Sequence, residues 1–539
     1  MIEKVVENWL TKTTERSFGR AFCYLLMSEG HTIIHLTKHN PMEKGKDVIS
    51  LSPMGEVCAY QLKTAKNGTV SLSQWREDVE NQIYELTEIP VEHPSVDSTK
   101  THKPYFVTNG DLDEKVQNVI HLLNDRFVSR GLSDLKLNTM VRGELLEKAK
   151  KAGDTLLPDE LRDFKKLFEL LLEIYLSDGR GPLPKEKYIN LLEMLIPINK
   201  NKDDLSSSEL SRILSSAAFV VAIVTSNFTE VQNFASEIEA WTIYISYLIA
   251  VAEKFELAEK YWKDELEVAE SIVYESLDGL AEEIITRDHF LEGNVIIDKR
   301  ILGFRMTLLV GLMCTYIFVS KKRGDSNVGK IGKIADFILK ENPKMVFWGE
   351  SAGPYYLSLY WHLKDSNPLE AKILLRKILN TIILRNTPRS EDPLPNAYYL
   401  LDQLIPYIYG TAEKPLLDKF AGQSSLIKIL LFLVVKEGDR EYVAAIWKEM
   451  SKIANRTFEA DYKWEDFIWR AKEGVDMSNF PEVEQSWSEL VREVLESQEE
   501  PPSYILKNKP ELALLLYSVF PFRLNDKKAM WLDRMLSSS

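Results

Sequence analysis

Gly45-Lys46-Asp47-Val48-Ile49 is followed, ten residues on, by Ala59-Tyr60-Gln61-Leu62-Lys63-Thr64. Both stretches alternate as short strands do. Side chains on a strand point to opposite faces in turn, so Asp47, Ile49 and Leu51 share one side. Gln61 and Lys63 likewise share one side of the next strand. If the two strands pair as a hairpin, the Asp47 carboxylate, the Gln61 amide oxygen and the Lys63 ammonium converge on one point. Hard oxygen donors of this kind suit Mg²⁺ (or Mn²⁺), which polarises a phosphoryl oxygen and acidifies an attacking water. A lysine beside them orients the nucleophile and offsets charge developing on the phosphate. In mid-strand, without such a partner, a buried lysine is costly. The chemistry expected of this cluster is phosphodiester hydrolysis.

The elements that must position these groups occupy the first 140 residues, where helical and strand periods alternate. Residues 3–29 read as one or two helices, with Val5, Val6, Trp9, Leu10, Phe18, Phe22, Leu25 and Leu26 as the apolar stripe and Gly30 as the stop. Strands are expected at 31–37, 46–51 and 56–64, joined by Asn-Pro and Ser-Pro-Met-Gly turns. A helix over 72–88 starts at a capping box, Ser71 to Gln74. A strand at 104–108 turns through Asn109-Gly110 into a helix at 112–130, with a fifth strand near 135–139. The order describes an α/β domain with a mixed central sheet flanked by helices. From about 155 onward the pattern is helical throughout. AEKFELAEKYW (252–262) and EYVAAIWKEM (441–450) have the spacing of stacked, helical-repeat-like hairpins, although no fixed period recurs. Breaks fall at 387–396 and 499–503, and the first is taken as a domain boundary, giving an expected division into 1–152, 155–388 and 395–539, the last two all-α.

An acid-bearing helix, then G-x-D, then Q-x-K on the next strand resembles the PD-(D/E)xK nuclease superfamily, nearest to its Mrr-like restriction-endonuclease branch. Tyr105-Phe106-Val107-Thr108-Asn109-Gly110 before a helix, and Leu135-Lys136-Leu137 after it, are similar to that branch's ending. The resemblance covers residues 1 to about 150. It implies a restriction-endonuclease-like fold and a Mg²⁺-dependent endonuclease with Asp47 as metal ligand, Gln61 in place of a second acid and Lys63 as catalytic lysine. The Leu62 carbonyl is implied as a further ligand. The helix-borne acid, implied as a further catalytic residue and metal ligand, is Glu15 with Glu7 as the alternative, since its usual position is occupied by Gly19. Glu15 lies on the stripe of Phe18 and Phe22 and faces the sheet.

Composition constrains the rest. Of 539 residues, 45% are hydrophobic and 27% charged, a globular balance. Three cysteines without a CxxC pair exclude a disulfide framework and a cysteine zinc site, and fit a reducing cytoplasm. The net charge of −14 is unevenly spread: residues 1–150 hold 19 Lys/Arg and 21 Asp/Glu, so the acidity lies in the C-terminal part, which offers polyanions no surface. No apolar leader opens the sequence. The apolar runs 216–224, 241–252 and 306–320 fall short of the ~18 uninterrupted residues of a membrane span and read as core helices.

Lys38, Lys44, Lys46, Lys66 and Arg76 cluster around the candidate site in sequence and are candidate phosphate contacts. His31, His35 and His39 read as surface or phosphate-contacting histidines. Trp348, Tyr355, Tyr356, Tyr360 and Trp361 read as packing. The expected partner is double-stranded DNA, with RNA as the narrower rival, and with a second copy or a defence-system subunit as protein partner. The architecture suits a prokaryotic restriction or antiphage effector whose helical region senses or assembles. The competing reading is a scaffold with a silent nuclease fold, and retained divalent-metal binding would separate the two.

Overall fold

Thr13-Thr14 decides how the first helical stretch is divided. In a computed structural model, Thr14 is extended and its hydroxyl caps Ser17 N, so the stretch forms two helices, α1 (Ile2–Lys12) and α2 (Glu15–Ser28). The structure describes residues 2–36, 45–93, 96, 101–156, 167, 169–171, 173–174, 176–286, 299–324, 327–409, 421–468, 474–481, 485–497 and 499–537. The described chain is 66% helical, with a small mixed sheet near its N-terminus. It divides into two compact units, Met1–Val273 and Tyr274–Ser539. The divisions expected at 152 and 388 lie inside these units.

In the first unit, β1 (Thr32–Leu36), β2 (Val48–Leu51) and β3 (Val57–Lys63) form an antiparallel meander. The chain then makes the two-residue strand β4 (Thr69–Val70) and α3 (72–88), whose second turn, Trp75–Val79, is a π-helix. β5 (His102–Thr108) returns parallel to β3. β6 (Asp111–Leu112) pairs with β4, and α4 (Glu114–Ser129) leads to β7 (Asn138–Met140), parallel to β5. The five-stranded sheet therefore runs β1-β2-β3-β5-β7.

Strand alternation splits the core in two. Ile49, Val57, Ala59 and Phe106 face Trp75, Val79, Ile83 and Leu86 of α3 and Val116 and Ile120 of α4. On the other face Tyr60 meets Phe22 of α2, with ring centroids 5.2 Å apart. α5 (Arg142–Leu156) packs on α1. Beyond it lie α6 (Lys185–Leu195), α7 (Ser207–Glu230), α8 (Phe234–Lys254) and the start of α9 (Lys263–Thr286), which continues past Val273, and α7 packs along α2. α2 is thus enclosed between the sheet and a second helical layer of the same unit.

The second unit is helical around Lys299–Arg323, Gly353–Ser366, Pro368–Arg385, Ile427–Lys436, Pro510–Val519 and Asp526–Ser537. Asp533 is fully buried and takes ammonium groups from Lys364 at 2.8 Å and Lys436 at 2.7 Å, with the Trp361 indole N–H at 3.1 Å. Tyr356, Tyr360 and Trp361 are core residues. The expectation of an all-α C-terminal region is corrected by a three-stranded sheet: β8 (Gln423–Ser424), β9 (Ala454–Ala460) and β10 (Gly474–Asn479), in the order β10-β9-β8. Its strands pair across 13 residues of chain or more, and a sequence such as ANRTFEA carries little strand signal alone.

Among the described residues, two helices, Ser207–Glu230 and Arg300–Arg323, are long and apolar enough to cross a membrane. All three apolar runs are embedded in longer helices. The most apolar windows of Ser207–Glu230 and Arg300–Arg323 are 83% and 78% buried within the protein, which is the burial of core helices.

Candidate active site

β2 begins at Val48, but pairing starts one residue earlier. Asp47 N–H donates to Tyr60 O at 2.8 Å, and with Val48 opposite Tyr60 this sets Asp47 beside Gln61. Asp47 Oδ2 accepts from Gln61 Nε2 at 2.6 Å and from Leu62 N at 2.7 Å. The amide orientation follows from the chemistry: turned over, Gln61 would set oxygen against carboxylate oxygen. Gln61 Nε2 also lies 3.4 Å from the Leu62 carbonyl, so that oxygen belongs to the same cluster. Gln61 is 3% exposed, and its Oε1 is buried without a hydrogen-bond partner. An unsatisfied buried carbonyl oxygen is costly.

Lys63 Nζ stands 3.3 Å from Glu15 Oε1 and 3.4 Å from Oε2. Glu15 Oε1 also faces Thr64 N at 3.5 Å. Both side chains are partly open to solvent, two residues along β3 from Gln61. Of the two candidate acids, Glu15 is the one brought to Lys63; Glu7 pairs with Arg142 at 3.0 Å. Gly19, one helical turn beyond Glu15, marks where α2 meets the sheet. A Cβ there would lie 3.3 Å from Leu62 Cδ1, so α2 rests on β3 at that point and a longer side chain would lift it off.

Two polar side chains that sequence reasoning did not assign to the site hold its frame. Asn109, read only as a turn residue, is buried. Its Oδ1 accepts Ala65 N at 2.7 Å and its Nδ2 donates to Leu10 O at 2.6 Å, tying the loop after Lys63 to α1. Gly110 follows because a Cβ would lie 2.6 Å from Gly68 O. Gln74 departs from the expected capping box. Ser71 Oγ does accept Gln74 N at 3.3 Å, but the Gln74 side chain donates to Thr64 O at 2.9 Å. The one advance signal was Asn-Gly itself, which predicts a turn and not a staple.

The basic residues separate. Lys46 is corrected as a phosphate contact: it is 4% exposed, and its ammonium lies 3.2 Å from Glu85 O, at the C-terminal end of α3. That is the favourable end of a helix dipole for a cation. His102 joins it there, with Nε2 2.6 Å from Leu86 O, and burial holds its pKa below the ordinary imidazole range. Arg76 is exposed on the π turn of α3. Lys66 lies in the turn after β3, with its side chain outside the described residues, and Lys38, His39 and Lys44 lie outside them altogether. His31 Nδ1 pairs with Ser50 Oγ at 3.0 Å. Among the described residues no three His, Cys, Asp or Glu side chains converge, so the donor set at Asp47 is carboxylate, amide and backbone oxygen. No protein-family model, no curated protein and no solved structure matches the chain.

Proposed function

We propose that the sheet domain is a metal-dependent endonuclease that hydrolyses phosphodiester bonds, with double-stranded DNA as its substrate. The observation that carries this reading is the buried, unpartnered Gln61 Oε1 beside the Asp47 carboxylate, with Lys63 two residues further along the same strand. The donor set fits a hard cation: Asp47, Gln61 and the Leu62 carbonyl would hold Mg²⁺ or Mn²⁺. Bound there, the ion would supply the Lewis-acid charge that phosphodiester hydrolysis needs.

The chain's own residues do the rest. Lys63 presents an ammonium two residues along β3 from Gln61, where it donates to a phosphoryl oxygen or orients the attacking water. Glu15 fixes that ammonium and keeps it charged-paired until substrate arrives. Asn109 and Gln74 immobilise the loop that follows Lys63, which limits the positional spread of its side chain. The helical remainder suits a restriction or antiviral effector, in which cutting is restrained until triggered.

The test is cleavage of supercoiled plasmid and of a structured RNA by the full chain, with and without Mg²⁺, beside Asp47→Ala and Lys63→Ala. Metal-dependent cutting of plasmid that both substitutions abolish supports the reading, and cutting of RNA alone changes the substrate class. Cutting that survives both substitutions removes the site. Calorimetry with Mn²⁺ separates an enzyme awaiting its trigger from a scaffold, which has no use for the metal.

A further inference from the structure

α2 carries Glu15 in its first turn and, five residues on, Arg20, which is buried at 3% exposure. The Arg20 guanidinium is ion-paired with Glu237 of α8, which is fully buried. The Thr229 hydroxyl of α7 donates to the same Glu237 oxygen and lies 3.4 Å from Arg20 Nη1. Trp241 of α8 stacks on Tyr24 of α2, with ring centroids 5.5 Å apart. On its other side α2 touches β3 at Leu62, the residue between Gln61 and Lys63.

These contacts differ in what they fix. Apolar packing tolerates small slides along a helix, whereas a buried ion pair does not: a shift of α2 would leave a charge uncompensated away from water. Arg20, five residues on from Glu15, is thus the buried polar anchor of the helix that carries Glu15, and its partners are supplied by α7 and α8. Resting on the nuclease reading of the site, we propose that Arg20 and Glu237 are positioning residues that hold Glu15 against Lys63. α7 and α8 are then part of the catalytic module, and the module extends well past residue 152.

The experiment uses the full chain carrying Arg20→Met/Glu237→Met, in which both charges are replaced by apolar side chains of similar length. Such a swap usually preserves folding, and a thermal melt confirms it. Amide hydrogen exchange of residues 14–20 and Mn²⁺ affinity by calorimetry are then read beside wild type and Asp47→Ala. The expected result is a folded protein whose exchange over 14–20 is about tenfold faster and whose Mn²⁺ affinity is about ten- to hundredfold weaker, as for loss of a supporting shell. Asp47→Ala should lose Mn²⁺ binding with exchange over 14–20 unchanged. A folded double variant with wild-type exchange and wild-type Mn²⁺ affinity overturns the positioning role and leaves the nuclease reading standing. If the double variant does not fold, Arg20→Lys must restore both readouts, and its failure to do so overturns the role. Wild-type protein that binds no Mn²⁺ overturns the metal site itself, and the assignment of Glu15 falls with it.

Discussion

Gln61 Nε2 lies 2.6 Å from Asp47 Oδ2, and this bond leaves Gln61 Oε1 buried with nothing to accept from. Gln61→Glu would set two carboxylates at that distance, and like charges so close cannot both ionise without a cation between them. The variant is expected to lose roughly 1–3 kcal/mol of stability in chelator and to regain more than wild type gains when Mg²⁺ is added. Thermal unfolding in EDTA and in Mg²⁺ measures both. An equal Mg²⁺ effect on the two proteins would sink the cation site.

Lys46 and Arg76 look alike in sequence and differ in place. Lys46→Met should cost about 1 kcal/mol by uncapping α3, with no change in the salt dependence of DNA binding. Arg76→Ala should stay within about 0.5 kcal/mol of wild-type stability and lower the slope of log K against log salt by about one. Urea unfolding and a salt titration of DNA affinity separate the two, and a changed slope for Lys46→Met would contradict the structure's placement of it.

Asn109→Ala removes both bonds of the staple and strands Leu10 O and Ala65 N out of reach of their partner. A loss of roughly 2–4 kcal/mol is expected, one to two for each bond. Cleavage should fall by more than the unfolded fraction explains, because the loop after Lys63 is freed. Activity measured at a temperature where the variant is fully folded is the check.

Glu265 of α9 is buried against the Ser215 hydroxyl at 2.7 Å, and burial pushes its carboxyl up to about 7 from an ordinary value of 4.5. With the folded value raised, its contribution to stability is fully present below about 4.5 and is lost as pH rises through about 7. Glu265→Gln should therefore leave stability unchanged near pH 4.5 and raise it at pH 8, by up to roughly 3 kcal/mol. Urea unfolding at the two pH values tests the sign, and a variant less stable than wild type at pH 8 would reverse it.

Local pattern carried the sheet and the cluster on it. Asp47 and Gln61 were legible because strand alternation and a short hairpin fix which side chains meet, and both depend on residues close in sequence. Glu15 was legible only as one of two acids, since the choice turns on where α2 crosses β3, and that is set by the contact of Gly19 with Leu62. Lys46 misled because a lysine next to a candidate aspartate reads as a phosphate contact, while its real partner, Glu85 O, is 39 residues away. Arg20 and Glu237 gave no signal: an arginine among apolar helix residues and a glutamate in a helix's first turn are each ordinary alone. The sheet of the second unit was hidden for the same reason, its strands being recognisable only as partners.

Arg20 and Glu237 are separated by 217 residues of sequence. A ribosome adding ~5–20 residues per second needs roughly 10–40 seconds to travel that distance. Through that interval the nascent chain has its β-hairpin, its Asp47 and its Lys63, but α2 is held from one side only. Under the proposed nuclease reading, a centre that needs this late-made helix would gain its activity only after residue 237 has been added, so synthesis itself would order when cutting can begin.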